Sequence, residues 1–291
     1  MTPQTRGNGC GAQAVLEGDS VEIKTLGELQ HNTRVKTYPD GSQLVTFSDR
    51  PIFREPGWEI VDKWDKDPRS LSNKSDRQGG DEDRERARRR ARAAVADLGR
   101  ANEFELFVTL TLDASRVNRY DPAITGRELR RWLSHQVQRR GLVYVLVPEL
   151  HEDGALHFHG LFNDVLPRQD SGTIKRTGAK RPQRPRSAKE RAAWLDAGGQ
   201  VVYNLPGWPY GFTTALELQG DYRRAVAYVC KYIGKSSQKI GGRWYFSGGK
   251  LRRPTASYTD TDYEAMRAEL VGHEYRIERL GARCINVDLE G

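Results

Sequence analysis

Two histidines and a carboxylate lie close together near the middle of this chain. Glu149 precedes a short polar turn, after which come His157 and His159. Side chains two positions apart in a β-strand leave the same face, so both imidazole rings would project from one side of a sheet. Imidazole nitrogens and a carboxylate oxygen can hold a divalent cation that polarises a phosphate group. The segment therefore predicts a site for Mg²⁺ or Mn²⁺ with coordination positions left open.

The geometry of this site depends on the turn. If residues 152–154 form a three-residue loop, Glu149 faces His157 across the hairpin. Cross-strand partners lie about 5 Å apart on one face, whereas a slip of one residue would separate the carboxylate from both rings. The predicted ligands are Glu149, His157 and His159. Alternative ligands in the turn are His151, Glu152 and Asp153. A competing interpretation is a half-exposed strand whose histidines are merely polar.

A second group of reactive side chains follows about seventy residues later. Tyr228 and Tyr232 are one helical turn apart and share a face, and Lys231 and Lys235 flank it at the same spacing. Tyrosine has a pKa near 10 and needs activation to attack a phosphate, which a nearby lysine can assist by stabilising the developing charge. With a metal site, this pattern indicates an enzyme that cuts a nucleic acid strand and holds one end covalently. The alternative is a pair of core tyrosines beside lysines that reach solvent.

Composition limits the possible classes. The 291-residue chain has a net charge of +8, which favours a polyanionic partner, although ordinary solubility would also explain it. Its cysteines are odd in number, far apart and without a CxxC pair, which argues against a disulfide framework or a thiolate zinc site. No apolar run approaches the roughly 20 residues that span a membrane, and no signal-peptide core is present. We expect a cytoplasmic protein with no membrane partner.

Periodicity along the chain predicts a main domain between two extensions. Residues 1–80 are a polar N-terminal extension with a β-hairpin at 34–47, residues 81–255 are the main domain, and residues 256–291 are a C-terminal extension. The main domain is predicted to contain helices at 82–100, 125–140 and 221–235, strands at 104–112, 142–150, 155–162 and 212–218, and a basic insert at 164–205. This order predicts an α+β fold, a split β-α-β antiparallel sheet with helices on one face.

Three motifs resemble those of the HUH endonuclease superfamily. They are Phe107-Val-Thr-Leu-Thr111, His157-Phe-His159 and Tyr228-Val-Cys-Lys231-Tyr232-Ile-Gly-Lys235. In order and spacing they resemble rolling-circle replication initiators of plasmids and single-stranded DNA phages, of the type with two tyrosines. The resemblance covers roughly residues 84–255. It implies an RRM-like sheet and an enzyme that nicks one DNA strand at an origin by transesterification. The products would be a 5′-phosphotyrosine and a free 3′-hydroxyl, and a reverse reaction would later close the new circle.

The resemblance also implies roles for individual residues. Glu149, His157 and His159 match the metal ligands. Tyr228 with Lys231, and Tyr232 with Lys235, both match the nucleophile pattern, and we favour Tyr228 as first nucleophile with Tyr232 second or supporting. The chain lacks a helicase segment, so a host helicase and polymerase are expected partners of the origin DNA. Alternatives are a transposase or relaxase of the same superfamily, or a noncatalytic RRM-like nucleic-acid binder whose sheet would expose aromatic side chains.

Basic side chains outside the motifs are candidates for DNA contact. They come from the insert and from the first helix of the main domain, and they are Arg176, Lys180, Arg181, Arg184, Arg186, Arg88 and Arg89. A flexible solvated loop is the alternative for the insert. Trp208 and Tyr210 are predicted either to stack on unpaired bases or to pack beneath the neighbouring strand.

Overall fold

The computed structural model describes residues 13–17, 20–24, 30–54, 80–151, 153–220, 222–235, 239–271, 276–280 and 284–289. The chain divides into two compact units, of which one is Gly79–Arg253 and the other combines Met1–Gln78 with Pro254–Gly291. Antiparallel sheets and helices occur together, which confirms the predicted α+β class. In the described part of the chain, no helix is both long enough and apolar enough to cross a membrane.

The elements of both units are numbered in chain order. They are β1 (Gln13–Glu17), β2 (Ser20–Lys24), β3 (Gln30–His31), β4 (Thr33–Thr37), β5 (Gln43–Ser48), β6 (Phe53–Arg54), α1 (Asp81–Ala101), β7 (Leu106–Leu112), α2 (Pro122–Arg140), β8 (Tyr144–Leu150), β9 (Leu156–Phe162), β10 (Gln169–Lys175), α3 (Ala188–Asp196), β11 (Gln200–Asn204), β12 (Gly211–Glu217), α4 (Tyr222–Lys235), β13 (Phe246–Gly248), β14 (Thr255–Thr259), α5 (Tyr263–Val271), β15 (Arg276–Leu280) and β16 (Cys284–Leu289).

The larger unit is built on a seven-stranded antiparallel sheet. Its strand order is β10-β11-β12-β7-β9-β8-β13, so β7 and β9 lie near the centre. β7 alternates strictly: Leu106, Val108, Leu110 and Leu112 are buried, whereas Phe107, Thr109 and Thr111 are half-buried. Since alternate residues of a strand face opposite sides, this pattern gives the sheet one closed face and one that is partly open at β7.

Helices cover both faces of this sheet. On the first face, Leu129 and Leu133 of α2 join the core formed by Leu110 and Phe158. On the second face, helices α1 and α4 pack in one cluster with Val145 of β8 and with Leu161 of β9. The predicted placement of helices on one face is therefore wrong. β8 is buried almost throughout, and a strand buried on both faces needs cover on both sides.

The two helices that bear on the site are fixed by short-range features. At the start of α2, the Asp121 carboxylate accepts hydrogen bonds from the backbone N–H groups of Ala123 and Ile124. Gly141 ends the same helix in the left-handed conformation, with φ 71°. α4 lies against α1 at Gly99, where an added Cβ would come within 2.5 Å of Val226. A glycine inside α1 thus permits the close approach of α4.

The basic insert forms part of the sheet. The predicted interruption at 164–205 contains β10, α3 and β11, and β11 pairs with β12 at the edge of the central strands. Ser187 begins α3 by accepting a hydrogen bond from the backbone N–H of Glu190. β10 is mostly polar, and only Ile174 is buried in it. The strands were missed because their polar composition hides the usual alternation.

The smaller unit contains a five-stranded sheet in the order β14-β4-β5-β16-β15. β4 and β5 confirm the predicted hairpin, and Gly41 adopts φ 85° in its turn. The sheet joins both predicted extensions, because β14 pairs with β4 and β16 pairs with β5. Its core contains Phe47, Tyr263 and Val287. Residues 55–79 of the predicted N-terminal extension lie outside the described residues.

Gly160 provides a test of packing in the central hairpin. A Cβ at this position of β9 would lie 1.9 Å from the Val145 carbonyl oxygen. We expect Gly160→Ala to lower the free energy of unfolding by about 1–3 kcal/mol in urea titrations. Gly207→Ala is the matched control, because no atom lies within 4 Å of a Cβ added there. Equal stability of the two variants would contradict the close approach of β8 and β9.

Candidate functional site

The hairpin of β8 and β9 sets the geometry of the site. Glu149 pairs with His157, as the sequence predicts. The backbone N–H of His151 donates to the Ala155 carbonyl at 2.9 Å and closes the turn, and Gly154 takes φ 81° within it. Glu152, an alternative ligand in the sequence prediction, lies outside the described residues. The register that separates a joined site from a dispersed one is therefore the predicted register.

The Glu149 carboxylate bonds to the more distant of the two histidines. Its Oε2 lies 2.8 Å from Nε2 of His159, and both side chains are largely buried. His157 is the direct cross-strand partner of Glu149, and its ring centroid lies 6.4 Å from that of His159. The three predicted ligands thus share one face, and the carboxylate spans a diagonal between strands.

Two threonines of β7 hold the other ring nitrogens. Thr109 Oγ1 lies 3.0 Å from Nδ1 of His159, and Thr111 Oγ1 lies 3.4 Å from Nδ1 of His157. Each threonine is the cross-strand partner of the histidine that it contacts. The sequence motif contains both threonines, but sequence reasoning gives them no role. Their two-residue spacing in a strand next to the histidine strand is the signal that could have found them.

The donor set suits a divalent cation. When Nε2 of His159 donates to Glu149, Nδ1 accepts from the Thr109 hydroxyl; if Nε2 gives up its proton to ligate a metal, the same hydroxyl can accept from Nδ1–H. Burial lowers the pKa of His157, and the nearby His151 lowers it further, so that the ring keeps a lone pair at neutral pH. Among the described residues, no three His, Cys, Asp or Glu side chains are already grouped as a complete metal site. Loading a metal here would require Glu149 to release its direct bond to His159.

The remaining turn residues are engaged elsewhere. The ring of His151 stacks on that of His157, with centroids 4.2 Å apart. Asp153 accepts a hydrogen bond from the Ala155 backbone and forms an ion pair with Arg119 at 3.0 Å. These contacts make Asp153 a turn residue rather than a member of the ligand group.

α4 brings both tyrosines to the histidine face. The ring of Tyr232 stacks on His159, with centroids 4.1 Å apart and planes 10° apart. The Tyr232 hydroxyl donates to the Tyr228 hydroxyl oxygen at 2.8 Å. Tyr228 lies edge-on against Phe107, at 5.6 Å between centroids. The second and third sequence motifs therefore meet through direct contact of a histidine and a tyrosine.

The two tyrosines have different surroundings. Tyr228 is 49% exposed, whereas Tyr232 is 6% exposed. Burial raises the pKa of Tyr232, and both the hydrogen bond to Tyr228 and the charge of Glu149 raise it further. Tyr232 therefore stays protonated as a hydrogen-bond donor, while Tyr228 presents its oxygen to solvent.

The lysines of α4 are less well defined. Lys231 is exposed and directly precedes Tyr232 in the helix. Lys235 is the last residue of α4, and its side chain lies outside the described part of the structure.

The predicted DNA-contacting residues fall into two groups. Some are fastened within the fold: Arg88 contacts Glu85 and donates to the Gly234 carbonyl at the end of α4, Arg176 stacks on Trp194, and Arg184 donates to the Ser171 carbonyl. The others have exposed side chains, and they are Arg89, Lys180, Arg181 and Arg186.

Trp208 and Tyr210 pack within the protein. Trp208 is buried, its ring lies edge-on against Trp132, and its indole N–H donates to the Thr111 carbonyl at 3.2 Å. The Tyr210 hydroxyl donates to Glu128 at 2.7 Å. Of the two sequence interpretations, packing is the one that the structure confirms.

Residues 105–237 match the model of a family of replication-associated proteins, that of the ORF2 type. The matched segment runs from β7 to α4 and contains the threonines, the histidines and both tyrosines. No curated protein and no solved structure matches the chain. The family match supports a role in the initiation of replication and an interaction with DNA.

The environment of Tyr232 makes stability depend on alkaline pH. Unfolded Tyr232 loses its proton near pH 10, whereas the folded protein retains it, so the free energy of unfolding falls as the pH rises above about 10. We expect a shallower fall in Tyr232→Phe than in wild type, measured by urea unfolding between about pH 9 and pH 11. Tyr120→Phe, at an exposed tyrosine, should follow wild type. Identical slopes in Tyr232→Phe and wild type would contradict the buried, protonated state.

Proposed function

We propose that the protein is a metal-dependent DNA endonuclease and strand transferase of the HUH two-tyrosine type. It nicks single-stranded DNA at a replication origin, holds the 5′ end on a tyrosine, and later rejoins the strand. The match to a replication-associated family supports the biological setting, which is rolling-circle replication of a plasmid or phage.

One observation carries this proposal. Tyr232 stacks on His159 and donates to Tyr228, while His159 bonds to both Glu149 and Thr109. A half-exposed phenol is thus joined by direct contacts to the only part of the sheet face that presents paired imidazoles and a carboxylate within the described residues. A stable core needs no such polar chain, since each buried polar group adds a desolvation cost.

The reaction follows from the position of Tyr228. Its phenol oxygen forms a bond to phosphorus, the bond from phosphorus to the 3′-oxygen breaks, and that oxygen takes up a proton as the free 3′-hydroxyl. The phenol proton leaves to solvent, which the exposure of Tyr228 allows. A bound Mg²⁺ or Mn²⁺, held by Glu149, His157 and His159, would polarise the phosphate.

The two tyrosines divide the work. Tyr228 is the attacking residue because its oxygen is accessible. Tyr232 is the supporting residue, since its hydroxyl donates a hydrogen bond to the oxygen on which negative charge develops. Lys231 is close in sequence to both and supplies positive charge for the strand, and the same role is proposed for Lys235.

DNA outside the cut site would contact the exposed basic side chains. Lys180, Arg181 and Arg186 belong to a folded insert at one edge of the sheet, and Arg89 belongs to α1. Phosphate contacts of this kind position the strand and make binding dependent on salt. A host helicase and a host polymerase would unwind and extend the DNA in a cytoplasmic setting.

Covalent capture tests the proposed reaction. Wild-type protein incubated with Mn²⁺ and single-stranded origin DNA should give an adduct that survives a denaturing gel. We expect Tyr228→Phe to abolish the adduct and Tyr232→Phe to reduce it without abolishing it, because Tyr232 is buried. Tyr120→Phe, at an exposed tyrosine outside the site, is the control. An adduct in Tyr228→Phe at the wild-type level would exclude Tyr228 as the nucleophile.

The threonines provide a test of the metal site. We expect Thr109→Val to weaken Mn²⁺ binding by about 10- to 100-fold in calorimetry, because the ring of His159 loses its hydrogen-bonding partner. Thr109→Ser keeps the hydroxyl and should bind nearly as well as wild type. Thr214→Val is the control, since Thr214 pairs with Thr109 from the neighbouring strand. Unchanged Mn²⁺ binding in Thr109→Val would count against the proposed ligand set.

A further inference from the structure

Phe212 is an exposed aromatic side chain on an ordered central strand. It is 64% exposed, more than any other large hydrophobic residue among those that the structure describes. It lies in β12, which pairs with β7 along its whole length. An isolated exposed apolar residue needs no explanation in a loop or at a chain end. Here the side chain stands on the same sheet as the proposed reaction centre.

The strand register places Phe212 in one row with that centre. Phe212 pairs with Thr111, Thr111 pairs with His157, and His157 pairs with Glu149. Cross-strand partners point to the same face, so all four side chains project from one side of the sheet. With two strand spacings between them, Phe212 and His157 are about 10 Å apart.

The backbone fixes the position of Phe212. A Cβ at the preceding Gly211 would lie 2.2 Å from the Thr111 carbonyl oxygen, so β12 approaches β7 closely at this point. The Tyr210 carbonyl accepts a hydrogen bond from the Asp113 backbone at 2.8 Å. Phe212 is therefore held in place from the backbone while its ring stays in solvent.

The face between Phe212 and the tyrosines is only partly covered. Thr109, Thr111, Thr214 and Leu216 point to this side and are half-buried. α4 packs mainly on β8 and β9, at the other end of the row. A strip of sheet surface thus continues from Tyr228 and His157 to the ring of Phe212.

We propose that Phe212 is a stacking platform for one base of the single-stranded DNA beside the phosphate that is cut. This inference rests on the proposed function, because a strand held at Tyr228 must lie on or beside the same face. Every base has a flat π-face, which an unpaired strand exposes and a duplex conceals. Phe212 therefore selects for unpaired DNA and orients the strand without reading its sequence.

Charge at the same end of the sheet favours DNA over an apolar partner. Arg116 follows β7, donates to the Pro209 carbonyl at 3.3 Å and remains half exposed. The chain as a whole has a net charge of +8. A second copy of the chain would bring the same positive charge to the interface, whereas a DNA strand brings phosphates.

A double-mutant cycle with two probes tests the stacking. Fluorescence anisotropy in EDTA compares a short labelled oligothymidylate with an abasic strand of the same length, which keeps the phosphates but lacks the bases. We expect Phe212→Ala to bind oligothymidylate about 5- to 100-fold more weakly than wild type. Phe212→Trp should bind at least as well as wild type. On the abasic strand, the three proteins should bind equally.

The controls separate stacking from other effects. Ile52→Ala removes another half-exposed apolar side chain, 50% exposed, and should not change binding of either probe. Wild-type affinity of Phe212→Ala for oligothymidylate would overturn the proposal, as would an equal loss on both strands. A loss of self-association in sedimentation, without a change in DNA affinity, would instead assign the face to a second copy of the chain and also overturn it.

The cycle is independent of cutting, because EDTA removes the metal. A wild-type protein that forms no covalent adduct with Mn²⁺ but shows base-dependent coupling at Phe212 would overturn the proposed nuclease and leave the stacking platform in place. Adduct formation without coupling would do the reverse.

Discussion

The pairing of β8 with β9 in a single register is the constraint on which the site depends. Glu149 faces His157 in this register, and a shift by one residue would turn the carboxylate to the opposite face. The hydrogen bond between His151 and Ala155 closes the turn, and Gly160 lets the two strands approach. Because α4 packs on the same pair of strands, the register also decides which side chains Tyr228 and Tyr232 meet.

The helix that brings the tyrosines also makes them unequal. Spacing by one turn puts both on one face of α4, but stacking on His159 buries Tyr232 and leaves Tyr228 half exposed. A buried phenol with a raised pKa is suited to donating a hydrogen bond, and an exposed one is suited to attack. The contact with His159 therefore creates two proposed roles from two identical side chains.

Much of the central unit could be predicted from the sequence, because apolar periodicity and turn residues define its helices, its hairpin and its register. Other features depend on tertiary packing. Local patterns did not indicate that Glu149 bonds to His159 instead of its direct partner, since side-chain conformation decides this. Burial of β8 on both faces places helices on both sides of the sheet. The polar insert concealed its strands, and the exposure of Phe212 follows from which part of the face α4 leaves open.

Peptide mapping of the covalent adduct by mass spectrometry tests the central claim most directly. Wild-type protein is incubated with single-stranded origin DNA and Mn²⁺, digested with nuclease and protease, and searched for a nucleotide on a tyrosine. The account predicts a phosphodiester-linked nucleotide on Tyr228, formed only when the divalent metal is present. A nucleotide found on Tyr232 alone, or on a residue outside α4, would contradict it.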